Sequence, residues 1–571
     1  MKLGIKRRIA NSWKKMSLLE KIFLVAAIVL TVLRFMIAMK IPLHIQAGAV
    51  YDDRMMVNYS TSLLSGKWLG GFNQFSLAKG ASYSIFLVLN YLLGLPYSFT
   101  LILLYAIAII LFCVALFRLI KSKTFLYILY TALLYSPVMF HDENVQKVYR
   151  GGVIVIFALM IVAAIIGLYT RIEERNKKVI KWSLTASFAL AFFWFLKEDS
   201  IWIMPFVVGG IGITVIHILR MKGVRREKIK KVALACMPLV CLGLAVLGYK
   251  TINLISYGEF AVTDRQGTYF KDVMTDLIEI EGEGRSKDNW VTRDMLQKAY
   301  EVSPTFAQVK KEIEKGYEGW AKEDGEIEGD IVFWAIKDAV AEAGFYENGT
   351  MVNEYYENVH NELAKAFEDG RLKRNNDFYI SSSAKGINEN EISDFLELMG
   401  RSMDNVVSYE YNETGIYPAT GDANGIALFD MLTMSQYVSA EAEGNFYKIE
   451  KITTDLANGI VKVYQITGKV LFCLMVITFV VFSGYIFYLL IKKRNMKGVV
   501  SLYLVVVGMF GTCFTLFFGT TFFCRFLSQR KVYDYASPML PLLLVVELIS
   551  VYLLVTASRK LLIARNNKKN K

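Results

Sequence analysis

Seven carboxylic acids stand at the ends of long apolar segments in this chain, and six of them form adjacent pairs. Such carboxylates can act as a general base, orient a hydroxyl nucleophile or hold a cation. Eight lysine and arginine residues fall at the same ends, and attraction between opposite charges favours one shared polar site. The carboxylates are Asp52, Asp53, Asp142, Glu143, Glu198, Asp199 and Asp534, and the bases are Arg54, Lys79, Lys147, Arg150, Lys197, Arg525, Arg530 and Lys531.

The first pair, Asp52 and Asp53, precedes apolar residues at helical spacing. Met55, Tyr59 and Leu63 share one face, which is typical of an amphipathic helix at a membrane interface. One interpretation of the pair is helix capping and placement at the positive end of the helix dipole. The other is a general base whose neighbour orients a nucleophile or holds a cation. Capping needs one Asp and explains the second one less well.

Lys197-Glu198-Asp199 follow an apolar stretch of 15 residues, Trp182–Leu196. A helix of that length is about 22 Å long, shorter than the roughly 30 Å of membrane hydrocarbon. We therefore expect these charges below the outer membrane surface, facing a protein interior or a wet cavity. The alternative is a self-neutralising turn between two helices, stabilised by Lys197.

A third outer segment contains His141, Asp142 and Glu143, followed by Arg150. The first three are metal ligands by type, although consecutive residues on a short loop rarely chelate one ion together. Arg150 could bind a phosphate through its planar fork of donors. An ordinary solvated loop is the alternative interpretation of this segment.

A basic cluster precedes the last apolar segment, with Arg525, Arg530 and Lys531 just before Tyr533. Basic residues beside a membrane suit a lipid phosphate. Anchoring at the membrane interface explains the same cluster equally well.

The elements that must position these residues are membrane-spanning helices. Of the 571 residues, 54% are hydrophobic, against about 45–50% in soluble domains, and the mean hydropathy is +0.36. Most of the ten apolar segments have the length that a spanning helix needs. An eleventh, Tyr83–Leu95, is too short to span and is interpreted as a helix at the outer interface. The ten predicted spans are Leu19–Met39, Ser98–Phe117, Phe125–Phe140, Gly151–Thr170, Trp182–Leu196, Ile201–Leu219, Val232–Tyr249, Val470–Leu490, Val499–Phe523 and Pro538–Ala557.

Lysine and arginine residues orient the bundle, because they concentrate in cytoplasmic loops. With ten spans, all six basic segments lie on one side, both termini are cytoplasmic and Ser256–Ile460 is extracytoplasmic. The predicted organisation is a seven-span N-terminal bundle (1–255) with its first outer loop at 40–97, an acidic external domain (256–460) and a three-span C-terminal bundle (461–571). The basic segments are the residues before Glu20, Arg118–Lys123, Arg171–Lys181, Arg220–Lys231, Lys492–Lys497 and Arg559–Lys571.

The net charge of +13 and the pI of 9.1 suggest nucleic-acid binding until the charges are placed. Residues 256–460 contain 40 acidic and 19 basic side chains, a net charge of −21, so the remainder carries +34. Those bases lie mainly at the cytoplasmic rim, which the positive-inside rule explains. The distribution therefore predicts no nucleic-acid partner.

The external segment contains no cysteine, since all six fall within or at the ends of spans. Extracellular domains of eukaryotes usually contain disulfides, so we expect a bacterial cytoplasmic membrane protein. Apolar residues at three- and four-residue spacing predict a mainly helical external domain. Pro304 after Ser303 predicts a helix start. The helical stretches are Asp294–Tyr300, Pro304–Gly316, Ile331–Ala343 and Asn353–Phe367.

This arrangement resembles the GT-C class of membrane glycosyltransferases, which share an acidic pair in the first outer loop, interface helices, about ten spans and a second acidic site. More closely, nearly the whole chain is similar to a bacterial group of uncharacterised GT-C-like proteins. Many GT-C enzymes carry their external domain at the C-terminus, whereas here it lies between spans seven and eight. The segments that carry the similarity are Tyr51–Asp53, Leu64–Gly70, Leu77–Gly80, Lys147–Gly152, Phe195–Trp202 and Gly329–Ala339.

The resemblance implies transfer of a sugar from a polyprenyl-phosphate donor to a cell-surface glycan, lipid or protein, with membrane lipids as further partners. Asp52 or Asp53 would deprotonate the acceptor hydroxyl. Glu198 and Asp199 would orient a hydroxyl or complete a cation site, and a divalent cation is the candidate cofactor. The implied phosphate-binding residues are Lys79, Arg150, Arg530 and Lys531, and the implied acceptor or cavity residues are His141, Asp142, Glu143, Trp202 and Tyr533.

Two other classes of function compete with glycosyl transfer. A transporter or flippase of lipid-linked saccharides should carry ionisable groups near the bilayer midplane, and Glu547 is such a group. A non-catalytic surface-assembly protein would use the acidic domain for binding and the helices as anchors. Ten spans exceed what anchoring requires.

Overall fold

The computed structural model describes residues 13–381, 384–439, 448–492 and 497–569. Within those ranges the backbone forms helices and isolated β-bridges but no strand. The predicted all-α polytopic membrane fold is therefore confirmed. Parts of three predicted basic segments, at residues 1–12, 493–496 and 570–571, lie outside the described residues.

Helices α1 to α10 come first along the chain, α11 to α18 follow between residues 269 and 433, and α19 to α22 close the bundle. The first group is α1 (Leu18–Lys40), α2 (Asp53–Leu64), α3 (Ser82–Leu92), α4 (Tyr97–Leu116), α5 (Lys123–Leu134), α6 (Asp142–Val145), α7 (Gly151–Arg171), α8 (Asn176–Trp194), α9 (Met204–Arg220) and α10 (Arg225–Tyr257). The second is α11 (Tyr269–Glu279), α12 (Arg293–Val302), α13 (Pro304–Ala307), α14 (Lys310–Trp320), α15 (Val332–Glu342), α16 (Gly349–Glu368), α17 (Ile392–Val407) and α18 (Ala423–Thr433). The last is α19 (Lys448–Ile491), α20 (Lys497–Phe523), α21 (Gln529–Ala536) and α22 (Leu540–Lys569).

Eight helical segments in the described part of the chain are long and apolar enough to cross a membrane. The other two predicted spans also form helices, α5 and α8. Helix α5 has 12 residues, about 18 Å of rise, because Ser136 adopts an extended backbone before Pro137 and a 3-10 turn follows. The eight segments are Leu18–Lys40, Tyr97–Leu116, Gly151–Arg171, Ser200–Arg220, Arg225–Tyr257, Lys448–Ile491, Gly498–Phe523 and Gln529–Arg559.

Helix α7 is the centre of the bundle, because nearly all of its side chains are buried. Helices α4, α8 and α9 pack against it. Small residues allow this close approach: a Cβ atom at Gly167 would lie 2.1 Å from the nearest ring atom of Trp182 on α8. The packing of α7 places its first residue, and Arg150 just before it, at one end of the bundle.

Residues 256–460, which the sequence predicts to be extracytoplasmic, have two parts with different cores. Helices α11 to α16 enclose a core of their own around Trp290, whereas α17 and α18 contribute residues such as Val406 and Phe429 to the core of the membrane bundle. Three of the four predicted helical stretches form single helices, α12, α15 and α16. The fourth, Pro304–Gly316, is divided into α13 and α14, because the backbone of Val309 leaves the helical conformation (φ −102°, ψ 10°). Ser303 caps α13 by accepting a hydrogen bond from the backbone N–H of Phe306. The domain boundaries at 255 and 460 stay predictions, since α19 runs unbroken through residue 460.

Candidate active site

Asp52 occupies the N-cap position of α2, yet its side chain makes no capping hydrogen bond. Its Oδ1 instead accepts hydrogen bonds from Lys79 Nζ at 3.1 Å and from the Tyr149 hydroxyl at 2.9 Å. Burial raises the pKa of Asp52, but the charges of Lys79 and Lys147 outweigh it and hold that pKa well below its ordinary value. Half of the side chain is exposed (50%). Capping therefore does not explain Asp52, which is an ionised and accessible carboxylate.

The Tyr149 hydroxyl connects two charged pairs. It donates to Asp52 and accepts hydrogen bonds from Lys79 Nζ at 3.2 Å and from Arg150 Nη2 at 2.8 Å. The Arg150 guanidinium also lies 4.9 Å from the centroid of the Tyr149 ring, and Lys147 Nζ lies 5.3 Å from it. Such cation–π contacts favour a fixed ring position.

Arg150 binds Glu198 with its Nη1 3.0 Å from both carboxylate oxygens, and the same nitrogen lies 3.0 Å from the carbonyl oxygen of Leu196. Burial raises the pKa of Glu198, but Arg150 and Lys79 outweigh it and lower that pKa to about 2. The Leu196 carbonyl comes just after the end of α8, where a helix leaves its last acceptors free. We name Asp52, Lys79, Tyr149, Arg150 and Glu198 the Tyr149 cluster.

Two neighbouring carboxylates take different positions. Asp199 accepts a hydrogen bond from Lys197 at 2.7 Å and is half exposed. Lys197 Nζ also lies 4.0 Å from the centroid of the Tyr535 ring. The self-neutralising turn that the sequence allowed therefore describes Lys197 and Asp199, whereas Glu198 turns away to Arg150.

Asp53 is fully buried beside the Tyr149 cluster, and neither of its carboxylate oxygens has a hydrogen-bond partner in the part of the chain that the structure describes. Lys147 Nζ lies 3.5 Å from its Oδ1. Burial is the main influence on the pKa of Asp53, and together with the neighbouring Asp52 it outweighs Lys147 and raises that pKa to about 8. Asp53 thus faces Lys147 from inside the protein, while Asp52 faces outward.

A second group surrounds His141, whose side chain is fully buried. His141 Nδ1 lies 2.8 Å from Asp142 Oδ1, and Nε2 lies 2.9 Å from Asp534 Oδ1. Burial lowers the pKa of His141, but the two carboxylates outweigh it and raise that pKa to about 9. Arg530 donates to Asp142 Oδ2 at 2.8 Å, and Lys531 Nζ lies 3.4 Å from Asp534 Oδ2. We name these five residues the His141 cluster.

Glu143 joins the two clusters. One carboxylate oxygen lies 3.5 Å from Lys147 and the other accepts a hydrogen bond from Lys531 at 2.7 Å. Arg530 extends the chain of charges to Glu413 at 2.7 Å. The structure therefore brings the predicted catalytic and phosphate-binding residues into one network, except for Asp199. That residue lies beside the network and pairs with Lys197.

Two predicted acceptor or cavity residues lie outside this network. Trp202 is 5% exposed and packs its ring against Phe193 at 5.8 Å. Tyr533 is 1% exposed, and its hydroxyl contacts the amide of Asn412. Both side chains pack behind the charged residues rather than line an open cavity.

Residues of the segment 256–460 contact both carboxylate-bearing turns. The Tyr51 hydroxyl donates to Asp338 Oδ2 at 2.5 Å, and the backbone N–H of Asp264 donates to the Leu77 carbonyl at 2.9 Å. Gln266 donates its side-chain N–H to the backbone carbonyl of Glu198 at 2.9 Å. These contacts hold residues 51–79 and the Glu198 turn in one arrangement.

Four buried or largely buried polar residues of this contact were not singled out by the sequence. Arg265 pairs with Asp330 at 2.6 Å, and Lys337 forms an ion pair with Asp264. Tyr149 was also missed, because a search by charge passes over a neutral hydroxyl. The signal was present in the segments Lys147–Gly152 and Gly329–Ala339, which carry the family resemblance and supply Tyr149, Asp330, Lys337 and Asp338.

The donor set does not fit a divalent cation. Among the described residues, no group of three or more His, Cys, Asp or Glu side chains is arranged as metal ligands. The half-exposed Asp52 is already paired with Lys79, and the less exposed Glu198 with Arg150. The site's charges are therefore balanced by the protein's own cations.

Comparisons with known proteins give distant structural matches. No protein-family model and no curated protein sequence matches the chain. Solved structures of the Archaeoglobus fulgidus oligosaccharyltransferase are similar at low identity. Its complex with Zn and sulfate is 12% identical over 75% of this chain and 67% of that chain, with a TM-score of 0.26. The form tethered to an acceptor peptide with the NVT sequon is 10% identical, and the apo form is 11% identical. Each match covers 76% of this chain and 68% of that chain, with a TM-score of 0.25.

Proposed function

We propose that this chain is a membrane glycosyltransferase that moves a sugar from a polyprenyl-phosphate donor to a cell-envelope acceptor on the extracytoplasmic side of a bacterial cytoplasmic membrane. The observation that carries the proposal is the Tyr149 cluster. It combines an accessible, ionised Asp52 with two cations, Lys79 and Arg150, at one end of a membrane bundle. A base for a hydroxyl and cations for a phosphate are the two requirements of this transfer.

Asp52 is the proposed base, and Asp53 is a positioning residue. Asp52 is half exposed, whereas Asp53 is fully buried and faces Lys147. The acceptor oxygen attacks the anomeric carbon, and the bond from that carbon to the phosphate oxygen breaks with its electron pair on the phosphate. The hydroxyl proton passes to Asp52. Because the pKa of Asp52 is low, this proton moves late, once bond formation has made the hydroxyl acidic.

Lys79 and Arg150 are the proposed phosphate-stabilising residues. Positive charge that is fixed in place stabilises the developing negative charge of a leaving group without reorganisation. Arg150 is held by Glu198 and Tyr149, and Lys79 by Asp52 and Tyr149. Arg530 and Lys531, which the resemblance also implied, bind Asp142, Glu143 and Glu413 and have no contact with the proposed base Asp52 among the described residues, so we assign them to the support of the site.

Transport of a lipid-linked saccharide remains the alternative proposal. Glu547 lies in α22, is fully buried, and has no hydrogen-bond partner for either carboxylate oxygen among the described residues. A transporter would use such a group near the middle of the bundle. Seven of the other eleven carboxylates outside residues 256–460 gather at the site end of the bundle, which favours surface chemistry instead.

The test is mass spectrometry of surface glycans and lipid-linked sugars in a strain that lacks the gene. We expect one lipid-linked sugar to accumulate and one surface component to lose that sugar. Wild type and the control Asp369→Asn, an exposed aspartate paired with Arg371, should restore both pools. Asp52→Asn should restore neither at an equal membrane level. Unchanged glycans in the gene-deleted strain would contradict the function, and rescue by Asp52→Asn would contradict the base.

A further inference from the structure

An apolar surface lies at the site end of the bundle, outside the charged network. Four of its side chains are unusually exposed for their type: Phe378 (67%), Ile380 (52%), Ile392 (47%) and Leu396 (60%). Phe378 and Ile380 belong to the chain before α17, and Ile392 and Leu396 lie one turn apart on α17. Exposed apolar side chains that gather in one region mark an interaction surface. We call these four residues the apolar foot.

The two halves of the apolar foot are joined by an antiparallel pair of residues. Phe378 and Ile387 exchange two backbone hydrogen bonds of 2.9 Å each. Ile387 is 8% exposed and packs in one small core with Phe395 of α17 and Phe522 of α20. The segment that carries Phe378 and the first turn of α17 therefore lie against the same end of α20.

Arg525 ties this segment to the end of α20. Its side chain is 4% exposed, and Nη2 donates to the carbonyl oxygens of Lys385 at 2.7 Å and Gly386 at 2.6 Å. Its Nη1 donates to the carbonyl oxygen of Phe522 at 2.8 Å. Lys385, in turn, is 2% exposed and binds Glu391 just before α17 at 2.9 Å. The position of the foot relative to α20 is thus held by buried charged contacts.

Two spans fix the height of α17 relative to the membrane. Phe395 packs edge-on against Phe518 and Phe522, the last turns of the apolar helix α20. At the other end of α17, Asp404 pairs with Lys469 at 2.8 Å, and Lys469 directly precedes the apolar run Val470–Leu490. Helix α17 therefore crosses the ends of two spans, at the level where hydrocarbon gives way to headgroups.

We propose that the apolar foot inserts into the lipid leaflet on the site side of the membrane. An amphipathic helix at this level buries its apolar edge in the boundary between headgroups and acyl chains. The exposed α20 side chain Phe514 (52%) makes the apolar surface of the spans continuous towards the foot. The acidic net charge of residues 256–460 gives no attraction to anionic headgroups, so apolar contact is the driving force.

The test uses the full chain in lipid nanodiscs whose phosphatidylcholine acyl chains carry bromine, a short-range quencher of tryptophan fluorescence. Single variants Ile380→Trp and Leu396→Trp are compared with wild type, whose eight tryptophans supply the background. The matched control is Gln297→Trp on α12, where Gln297 is exposed among charged side chains such as Glu301 and Lys310.

We expect brominated lipid to quench the added fluorescence of Ile380→Trp and Leu396→Trp by about half or more, as for side chains at the acyl boundary. The Gln297→Trp signal should stay unchanged. The two test positions lie on different elements of the structure. If one variant fails to fold, the other variant still tests the proposal. Unquenched signals at either well-folded test position would overturn the proposal and indicate a protein partner. Quenching that requires anionic lipid would overturn insertion by apolar contact.

Discussion

The two charged clusters at the site end of the bundle contain the same kinds of residues but differ in accessibility. In the Tyr149 cluster, Asp52 is half exposed and its carboxylate is held by an ammonium and a neutral hydroxyl. In the His141 cluster, the imidazole is fully buried between two aspartates, whose side chains are 11% and 7% exposed. Charge alone does not distinguish the two, whereas exposure and partners do.

We interpret this difference as the distinction between the proposed site of transfer and a set of structural ion pairs, which we call the clasp. The His141 cluster joins the loop before α7 to α21, since Asp142 and Asp534 lie 392 positions apart in the chain. Removing one member leaves a buried charge without its partner, which costs about 3–5 kcal/mol. The Tyr149 cluster has an open side, so a substrate group can replace water there without breaking the fold.

Apart from Asp52→Asn, which removes the proposed base, the largest effect that we expect from a single change in the Tyr149 cluster is a fall in transfer in Glu198→Gln. The amide cannot hold Arg150 with two anionic acceptors, so the cation loses its position for the phosphate. We expect a fall in kcat of about 100-fold, which corresponds to about 2.7 kcal/mol. The measurement is transfer by purified protein in nanodiscs, with the donor found by mass spectrometry.

Glu413→Gln is the matched control for Glu198→Gln, because Glu413 also pairs with an arginine, Arg530, but is half exposed and belongs to the clasp side. Its kcat should stay within about twofold of wild type. Equal losses in both variants would remove the distinction between the clusters.

A smaller effect is expected for Tyr149→Phe, which keeps the ring and deletes the hydroxyl that links Asp52 to Arg150. Hydrogen bonds to charged groups contribute about 1.5–3 kcal/mol each, but the ion pairs remain, so we expect kcat to fall about tenfold. KM should change little, because Tyr149 positions charges and is not the proposed phosphate ligand.

Tyr417→Phe is the control on the other cluster, since the Tyr417 hydroxyl donates to Asp142 Oδ2 at 3.2 Å. Its kcat should match wild type. A Tyr149→Phe variant with full activity would show that the two ion pairs of the Tyr149 cluster act independently.

The smallest effect is a pH dependence of the thermal midpoint. The folded pKa of His141 is raised from 6.5 to about 9, so its ion pairs contribute fully below pH 6.5 and are lost as pH rises through 9. The groups that face it are Asp142 and Asp534, with Arg530 and Lys531 behind them. We expect Tm in nanodiscs to fall by several degrees across this window.

His141→Asn should lower Tm at pH 6.5 and flatten this pH dependence. The control is His217→Asn, which removes a histidine that is 40% exposed near the end of α9, beside Glu173. That variant should keep the wild-type slope. If His141→Asn also keeps it, another group titrates in this window and the clasp is not held by a protonated histidine.

Much of the fold followed from local pattern. Apolar length placed the helices, and the brief run Tyr83–Leu95 was correctly interpreted as too short to span, since α3 has 11 residues. The end of the helix within the predicted span Phe125–Phe140 was missed. Hydropathy does not report the backbone restriction that Pro137 imposes on Ser136. Helix periodicity also located α12 to α16, because each buries one face in the core around Trp290.

The sequence singled out most charged residues of the candidate site, but not Tyr149 and not the position that each carboxylate takes. Adjacent carboxylates could not be told apart from spacing, because successive residues leave the chain in different directions. Asp52 points to Lys79 and Asp53 to Lys147, just as Glu198 and Asp199 take different partners. The metal candidate rested on residue types alone, and the pairing of those residues with cations decided against it.

The sequence by itself determined that this protein is a multi-span helical bundle with charges gathered at helix ends, because hydrophobic length and charge cost in lipid are properties of short segments. Only the tertiary structure decided which carboxylate is accessible and which is locked. That outcome depends on residues far apart in the chain, such as Tyr149 beside Asp52 and Gln266 beside Glu198. Burial and partner choice arise from packing, and no local pattern encodes them.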